Sequence, residues 1–324
     1  MHKDAPQPGN TGMRRGRHVK ISAPATVANL VCGFDVLGMA LESPADIMEL
    51  SISDQPGIRI RHLDGYNLPV EPAQNVAGAG LLALMEEYGD VSLGFDLTVE
   101  KHIKPGSGLG SSAASSAGAV VAANYLLHDH FSREDLVRFA MNGEKLASGV
   151  KHADNIAPCI YGGITLIRSI FPLDIIPLSA PPLFVTVVHP QIEVKTSDAR
   201  QILRKEVLLK DAIKQWGNIA GLVAGFMKGD YDLIGRSLED VIIEPVRSIL
   251  IPGFAAVKQQ SHDAGALGGG ISGSGPSIFM ICREESTALE TERRMQAVFS
   301  KVGVDYKTYV TTLNMSGVRV IEAG

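Results

Sequence analysis

Hydrophobic positions along the chain switch between two periods. Alternating or β-branched runs at 18–23, 47–53 and 57–63 predict strands, and so does 95–103, where Leu97 and Val99 alternate with polar neighbours. Helical spacing of apolar residues appears at 74–88, from about 109 to 128, and at 133–147. Ser132, with Asp135 three residues on, predicts a capped start for the last of these. A proline-rich stretch at 172–182 then interrupts all periodicity. It is the expected domain boundary, because clustered prolines cannot continue a helix or a central strand. Beyond it the pattern predicts a strand at 183–188, two or three helices within 197–243 and a helix at 253–264. A strand, a helix and two more strands follow at 277–283, 286–302, 305–312 and 317–321. Strands and helices mixed without regular βαβ alternation suggest an α+β chain in two halves, each a sheet with helices on one face.

Composition narrows the classes. A length of 324 residues fits two domains at roughly 100–200 residues each. With 45% hydrophobic and 20% charged residues the chain is neither disordered nor a coiled coil. Thirty Lys and Arg against 35 Asp and Glu leave a net charge of −5, which argues against a protein that neutralises nucleic-acid phosphates. The basic cluster Arg14, Arg15 and Arg17 reads as part of a solvated, frayed N-terminal extension, residues 1–17. The three cysteines, Cys32, Cys159 and Cys282, lie too far apart to suggest a zinc site or a disulfide framework. The longest apolar stretch, 170–188, contains Asp174 and four prolines, so no membrane span is expected. The first dozen residues lack the apolar core of a signal peptide. The expectation is a soluble cytoplasmic protein.

Glycine carries the first chemical clue. Of 34 glycines, one dense group lies in Lys104, Pro105, Gly106, Ser107, Gly108, Leu109, Gly110, Ser111, Ser112, Ala113 and Ala114, between a predicted strand and an alanine-rich helix. Such a loop lets backbone approach a ligand, and the helix start behind it points unpaired N–H groups at an anion. Phosphate is the natural guest. No lysine follows Gly110, so this is not a Walker A loop, and a polyphosphate needs neutralising by other means, a metal foremost. The second group, Gly268 to Gly275, formally matches a dinucleotide fingerprint but leads through Pro276 into a strand instead of opening a helix. It reads as a glycine-rich hairpin that approaches either the first loop or the phosphates themselves.

The stretch from Pro105 to Ala114 resembles the phosphate loop of the GHMP kinases, and 268–275 resembles their third motif. The segments 23–38, 152–159 and 244–253 resemble the branch of that superfamily that phosphorylates homoserine, and the resemblance spans about residues 18 to 320. One departure is Val31-Cys32, where Gly-Pro or similar is common; it is expected to affect local turn geometry. The resemblance implies an α+β, two-domain GHMP kinase fold. An N-terminal nucleotide-binding domain like ribosomal protein S5 would occupy 18–175, and a ferredoxin-like α/β sandwich 176–324. It also implies ATP and Mg²⁺ as cofactors and L-homoserine as small-molecule substrate. A homodimer is implied too, with neither nucleic acid nor membrane as partner.

A substrate with an α-ammonium and an α-carboxylate asks for a carboxylate and for guanidinium forks. The resemblance puts Asn29 and Asp35 on the substrate, with Asp35 facing the ammonium. Arg247 and Arg200, four residues after Thr196, take the carboxylate end, and His152 and Asn155 close the pocket. Thr196 joins the substrate-binding set. Ser112 and Glu144 would be the metal ligands, Asn75 would meet the adenine, and the loop residues from Lys104 to Ala114 would bind ATP. For the proton of the acceptor hydroxyl, the candidates are Asp154 as base, or Asn155 and Arg200 holding the hydroxyl while the proton passes to the γ-phosphate. The second reading is favoured, because phosphoryl transfer through a loose transition state depends mainly on positioning and charge. Two other readings are a mevalonate-type kinase and a non-catalytic ligand-binding relative. Pro24-Ala-Thr stands where the mevalonate and galactose members carry Pro-Gly-Lys or Pro-Gly-Arg. Ser112, Glu144 and Asn155 are all present, which speaks against the non-catalytic relative.

Overall fold

A computed structural model of the protein describes residues 17–194 and 196–324, without the side chains of Thr196 and Ser197. The expected N-terminal extension, save Arg17, and the Thr196 side chain therefore lie outside the described residues. In chain order the first elements are β1 (His18–Ala28), β2 (Leu37–Ile52), β3 (Gly57–His62), α1 (Val76–Tyr88), β4 (Gly94–Glu100), α2 (Ser111–Leu126), α3 (Arg133–Ser148) and α4 (Ile156–Tyr161). Next come β5 (Ile164–Ile170), β6 (Leu173–Leu178), β7 (Phe184–Pro190), α5 (Thr196–Gln201), α6 (Leu209–Lys228), α7 (Tyr231–Ser237), α8 (Glu244–Arg247) and α9 (Phe254–Asp263). The chain ends with β8 (Gly268–Ile271), β9 (Ile278–Cys282), α10 (Glu285–Val302), β10 (Tyr306–Thr312) and β11 (Arg319–Ala323).

Among the described residues the strands form two sheets. In the first, β11, β1, β2, β4 and β3 lie in that order, and β5 pairs with β2 and with β6. In the second the order is β10, β7, β9, β8. The proline-rich stretch carries β6, which pairs with β5 alone and so sits at an edge, where the missing N–H of Pro177 breaks no ladder. The last strand, β11, returns to pair antiparallel with β1, so the end of the chain closes the first sheet.

Helix α2 explains why the alanine-rich segment is alanine-rich. It packs against β1 and β2 on one side and against α1, α3 and α4 on the others, and nearly all its residues are buried. A helix with neighbours all round cannot be amphipathic, and large side chains would hold its neighbours off. A Cβ on Gly118 would lie 2.6 Å from Met48 Sδ, so the helix axis rests directly on the sheet. The capping box of Ser132 and Asp135 forms as the sequence predicts and starts α3. In β9, Phe279 and Ile281 face the main core while Ile278, Met280 and Cys282 face α9 and α10, which is why this strand is apolar throughout. Among the described residues no helix is long and apolar enough to cross a membrane.

Candidate active site

The loop between β4 and α2 turns through Gly106, Gly108 and Gly110, all at positive φ, and delivers the N-terminus of α2 to a cleft of about 360 Å³. At Gly108 (φ +79°) a Cβ would stand 2.6 Å from the Ser272 carbonyl oxygen and 2.7 Å from that of Gly275, so no side chain fits. The second glycine cluster is the β8–β9 hairpin, and it grips the first. Ser272 Oγ donates to the Gly108 carbonyl at 2.7 Å, and Ser277 Oγ donates to that of Ser107 at 2.7 Å. Of the two alternatives left open by the sequence, contact with the loop is thus present.

Under the loop lies a group for which the sequence carries no signal. Lys101, almost wholly buried, pairs through Nζ with Asp46 and also donates to the Ser111 carbonyl at 2.9 Å and to Ser115 Oγ at 2.8 Å. The other carboxylate oxygen of Asp46 accepts from the backbone N–H groups of His102 and Ile103. One buried ion pair therefore ties β2, the end of β4 and the first turn of α2 together. Lys101 also lines the cleft, but its three hydrogens are committed to Asp46, Ser111 and Ser115, so it braces the loop and does not replace a Walker lysine.

Ser112, in the first turn of α2, donates to Glu144 Oε2 of α3 at 2.9 Å, and both line the cleft. Burial raises the Glu144 carboxyl above its usual range, against the opposing pull of the Ser112 hydrogen bond. A half-buried carboxylate beside a hydroxyl at the start of the phosphate loop's helix is a pair of hard oxygen donors that fits an ion taking its other ligands from phosphates and water. That is the habit of Mg²⁺.

The charged end of the cleft is built on the turn after β1. Asn29, Leu30, Val31 and Asp35 all have positive φ, an uncommon conformation for non-glycine residues and a costly one for β-branched Val31. Here the Val31-Cys32 departure has its physical consequence, strain in the turn. Asn29 spends its amide holding that turn: Nδ2 donates to the Gly273 carbonyl at 2.9 Å, and Oδ1 accepts from Asp35 N–H at 3.0 Å. Asp35 receives Arg200 Nη2 on both oxygens, at 2.9 and 3.0 Å. His152 Nδ1 lies 3.7 Å from Asp35 and 3.4 Å from Arg200. Burial, helped by Arg200 and Arg247 and opposed by Asp35, lowers the His152 pKa, so a neutral imidazole faces the carboxylate. Arg247, buried, is fixed by the Ala199 carbonyl at 2.9 Å and the Gly273 carbonyl at 3.2 Å, with its guanidinium 4.9 Å from the Phe34 ring centre. Burial and the nearby Arg200 bring its pKa down to about 10, so it stays charged at neutral pH.

Asn155 Oδ1 accepts from Thr26 Oγ1 at 2.7 Å. Beside it, Asp154 lines the cleft, and its pKa is pushed up to about 8 by burial and then by the charges of Asp35 and Glu144. Behind Arg247, Asp240 accepts from the N–H groups of Ile242, Ile243 and Glu244 and from Gln215 Nε2, which also donates to the Cys32 carbonyl. Asp240 and Gln215 thus lock α8 to the turn that carries Asp35. Sequence reasoning missed both, because Asp240 lies outside the N-cap position of α8, which is Ile243, and Gln215 stands 25 residues before Asp240.

The structure brings Asn29, Asp35, His152, Asp154, Asn155, Arg200 and Arg247 into one cleft with Ser112, Glu144 and the loop residues Pro105, Gly106, Gly108, Gly110 and Ser111. Other expected residues lie elsewhere. Lys104 Nζ donates to Gln191 Oε1 at 2.9 Å, while Ser107, Leu109, Ala113 and Ala114 are buried behind the loop. Asn75 is buried and caps α1, its Oδ1 accepting from Ala77 and Gly78 N–H; its amide does not line the cleft. The apolar lining at that end comes from Leu68, Val76 and Ala147.

The chain is also similar to known proteins. The chain matches the family described as GHMP kinases N terminal domain over residues 75–163 and the one described as GHMP kinases C terminal over 222–301. A homoserine kinase from Chloroherpeton thalassium is 47% identical over 292 residues, 86% of this chain and 92% of that protein. The crystal structure of homoserine kinase from Cytophaga hutchinsonii superposes with a TM-score of 0.91 at 46% identity, covering 97% of this chain and 100% of that one. The L. major mevalonate kinase, solved with R-mevalonate, shares the fold alone, with a TM-score of 0.69 at 16% identity over 93% of this chain and 97% of that one. The chain belongs to the homoserine kinase family of the GHMP kinases.

Proposed function

We propose that this chain transfers the γ-phosphoryl group of ATP to the side-chain hydroxyl of L-homoserine. The product is O-phospho-L-homoserine, destined for threonine biosynthesis in the cytoplasm, and the working form is a homodimer. The observation that carries this reading is the charge inventory of one cleft. A carboxylate and two guanidiniums, Asp35, Arg200 and Arg247, stand at one end, and a glycine loop with Ser112 and Glu144 at the other. An amino acid supplies the ammonium and carboxylate that this set complements, whereas mevalonate has no ammonium for Asp35.

In the reaction the homoserine oxygen attacks the γ-phosphorus, the bond from that phosphorus to the β-phosphate bridging oxygen breaks, and ADP leaves. The hydroxyl proton passes to the transferred phosphate. Asp35 binds the ammonium and Arg247 the carboxylate, which fixes the hydroxyl against Asn155 and Arg200. The backbone N–H groups at the start of α2 receive the phosphates, and the Lys101–Asp46 pair holds that first turn in place. Ser112 and Glu144 would hold Mg²⁺, which supplies charge neutralisation for the phosphates when bound. Ser112→Ala and Glu144→Gln should each weaken Mg·ATP use and leave homoserine affinity nearly intact. Titration with Mg²⁺ and nucleotide tests this, and an unchanged Mg²⁺ dependence in both variants would remove the assignment.

The reading is tested on the acceptor side by Asp35→Asn and Arg247→Ala. Removing one partner of a buried charge pair costs ~2–5 kcal/mol, so KM for homoserine should rise by roughly 30-fold or more while KM for ATP changes little. A wild-type KM for homoserine in either variant would show that the zwitterion is held elsewhere.

A further inference from the structure

The hydrogen-bond valences of Asn75 assign a role to two residues outside the cleft. Its Oδ1 is committed to the N-terminus of α1, accepting from Ala77 N–H at 2.9 Å and Gly78 N–H at 3.2 Å. The amide orientation is thereby fixed, and both Nδ2 hydrogens must be donated on the other side. One goes to the Pro69 carbonyl at 2.6 Å, and the other faces His62 Nε2 at 3.1 Å. His62 must therefore offer a lone pair at Nε2 and carry its proton on Nδ1. That Nδ1 stands 3.5 Å from Asp64 Oδ2, a close approach and not a formed hydrogen bond; both side chains are nearly buried, and neither atom has a hydrogen-bond partner. Asp64 uses its remaining oxygen on the N–H of Tyr66, two residues on. A line of polar contacts thus runs from Asp64 past His62 to Asn75 and the start of α1. It spans the segment between β3 and α1, residues 63–71. From that segment Leu68 lines the cleft, facing it together with Val76, the first residue of α1.

We propose that His62 and Asp64, acting through Asn75, are positioning residues that latch segment 63–71 onto α1 and so hold the Leu68–Val76 wall against the nucleoside of the bound nucleotide. The inference rests on the phosphotransferase reading above. On that reading the phosphates sit at the glycine loop and the amino acid at the Asp35 end, which leaves the apolar end for the base. Asn75, expected from the resemblance to meet the adenine itself, instead governs the wall, because all four of its hydrogen-bonding positions are taken.

The test uses the full-length protein with His62→Leu, His62→Gln and Asp64→Ala. In His62→Leu one Asn75 hydrogen loses its buried acceptor. The KM for Mg·ATP and the Kd for Mg·ADP should rise roughly tenfold, with kcat and the KM for homoserine within about twofold of wild type. His62→Gln should recover most of the loss, since its Oε1 can accept from Asn75 where Nε2 did. Asp64→Ala should move the same constants in the same direction by less. Equal rises in both KM values, or a fall in Tm with nucleotide binding unchanged, would overturn the latch, as would a glutamine variant as impaired as the leucine one. Amide hydrogen exchange separates this from the functional reading. Faster exchange confined to residues 63–70 in His62→Leu supports the latch whatever the enzyme phosphorylates, and unchanged exchange there refutes it.

Discussion

Arg200→Ala and Asn155→Ala should each lower kcat by roughly 10²- to 10³-fold, the loss typical of removing one preorganised donor from a developing charge. Asp154→Asn should keep most of the activity. The two accounts of proton removal differ on one carboxyl group. With a pKa pushed up to about 8, Asp154 is mostly protonated at neutral pH, and asparagine is close to an isostere of that neutral acid. If its ionised form were the base, kcat/KM would climb as pH rises towards 8 and level off above it. Asp154→Asn would then erase that limb and cost ~10²–10⁴ in rate. Positioning by Asn155 and Arg200 predicts no limb assignable to Asp154, and losses that fall on kcat because the contacts are strongest in the transition state. A folded Asp154→Asn enzyme that binds both substrates yet is nearly dead, beside an active Asn155→Ala, would reverse the assignment.

The largest stability effect should come from Lys101→Met. It leaves the Asp46 carboxylate buried without its cation, and it strips a donor from the Ser111 carbonyl and from Ser115 Oγ. Breaking such a pair from one side costs ~3–5 kcal/mol, a large fraction of a domain's total stability. Urea unfolding should show the loss. The double variant Lys101→Met with Asp46→Asn should recover part of it, because the asparagine oxygen can still accept from His102 and Ile103 N–H. A single-variant loss below about 1 kcal/mol would mean that the pair is no keystone of the loop.

How much of this was legible in the sequence depends on how far apart the partners lie. Local signals held: the capping box at Ser132, the period-2 strands and the glycine loop before a helix are each written within a few residues. The strand β6 and the extension of β2 back to Leu37 were not legible, because edge position excuses Pro177 and because Ser43 and Pro44 interrupt the apolar run. Within the site, the residues expected at the cleft from motif resemblance do converge there, apart from Asn75, Lys104, the buried face of the loop and Thr196, whose side chain lies outside the described residues. What no local pattern could reveal was the Asp46–Lys101 pair, whose partners are 55 residues apart, or the Gln215–Asp240 brace behind Arg247. Nor does a sequence show that a capping amide has no valence left for a base. That takes the coordinates of His62 and Pro69.

The most direct test of the central claim is a coupled ADP-release assay with the wild-type protein and Mg·ATP, run in parallel on L-homoserine, mevalonate, galactose and L-threonine. The account predicts turnover with L-homoserine, with the product carrying phosphate on its side-chain oxygen, and little or none with mevalonate or galactose, which bring no ammonium to Asp35. Faster ADP release with mevalonate or galactose than with L-homoserine would contradict it.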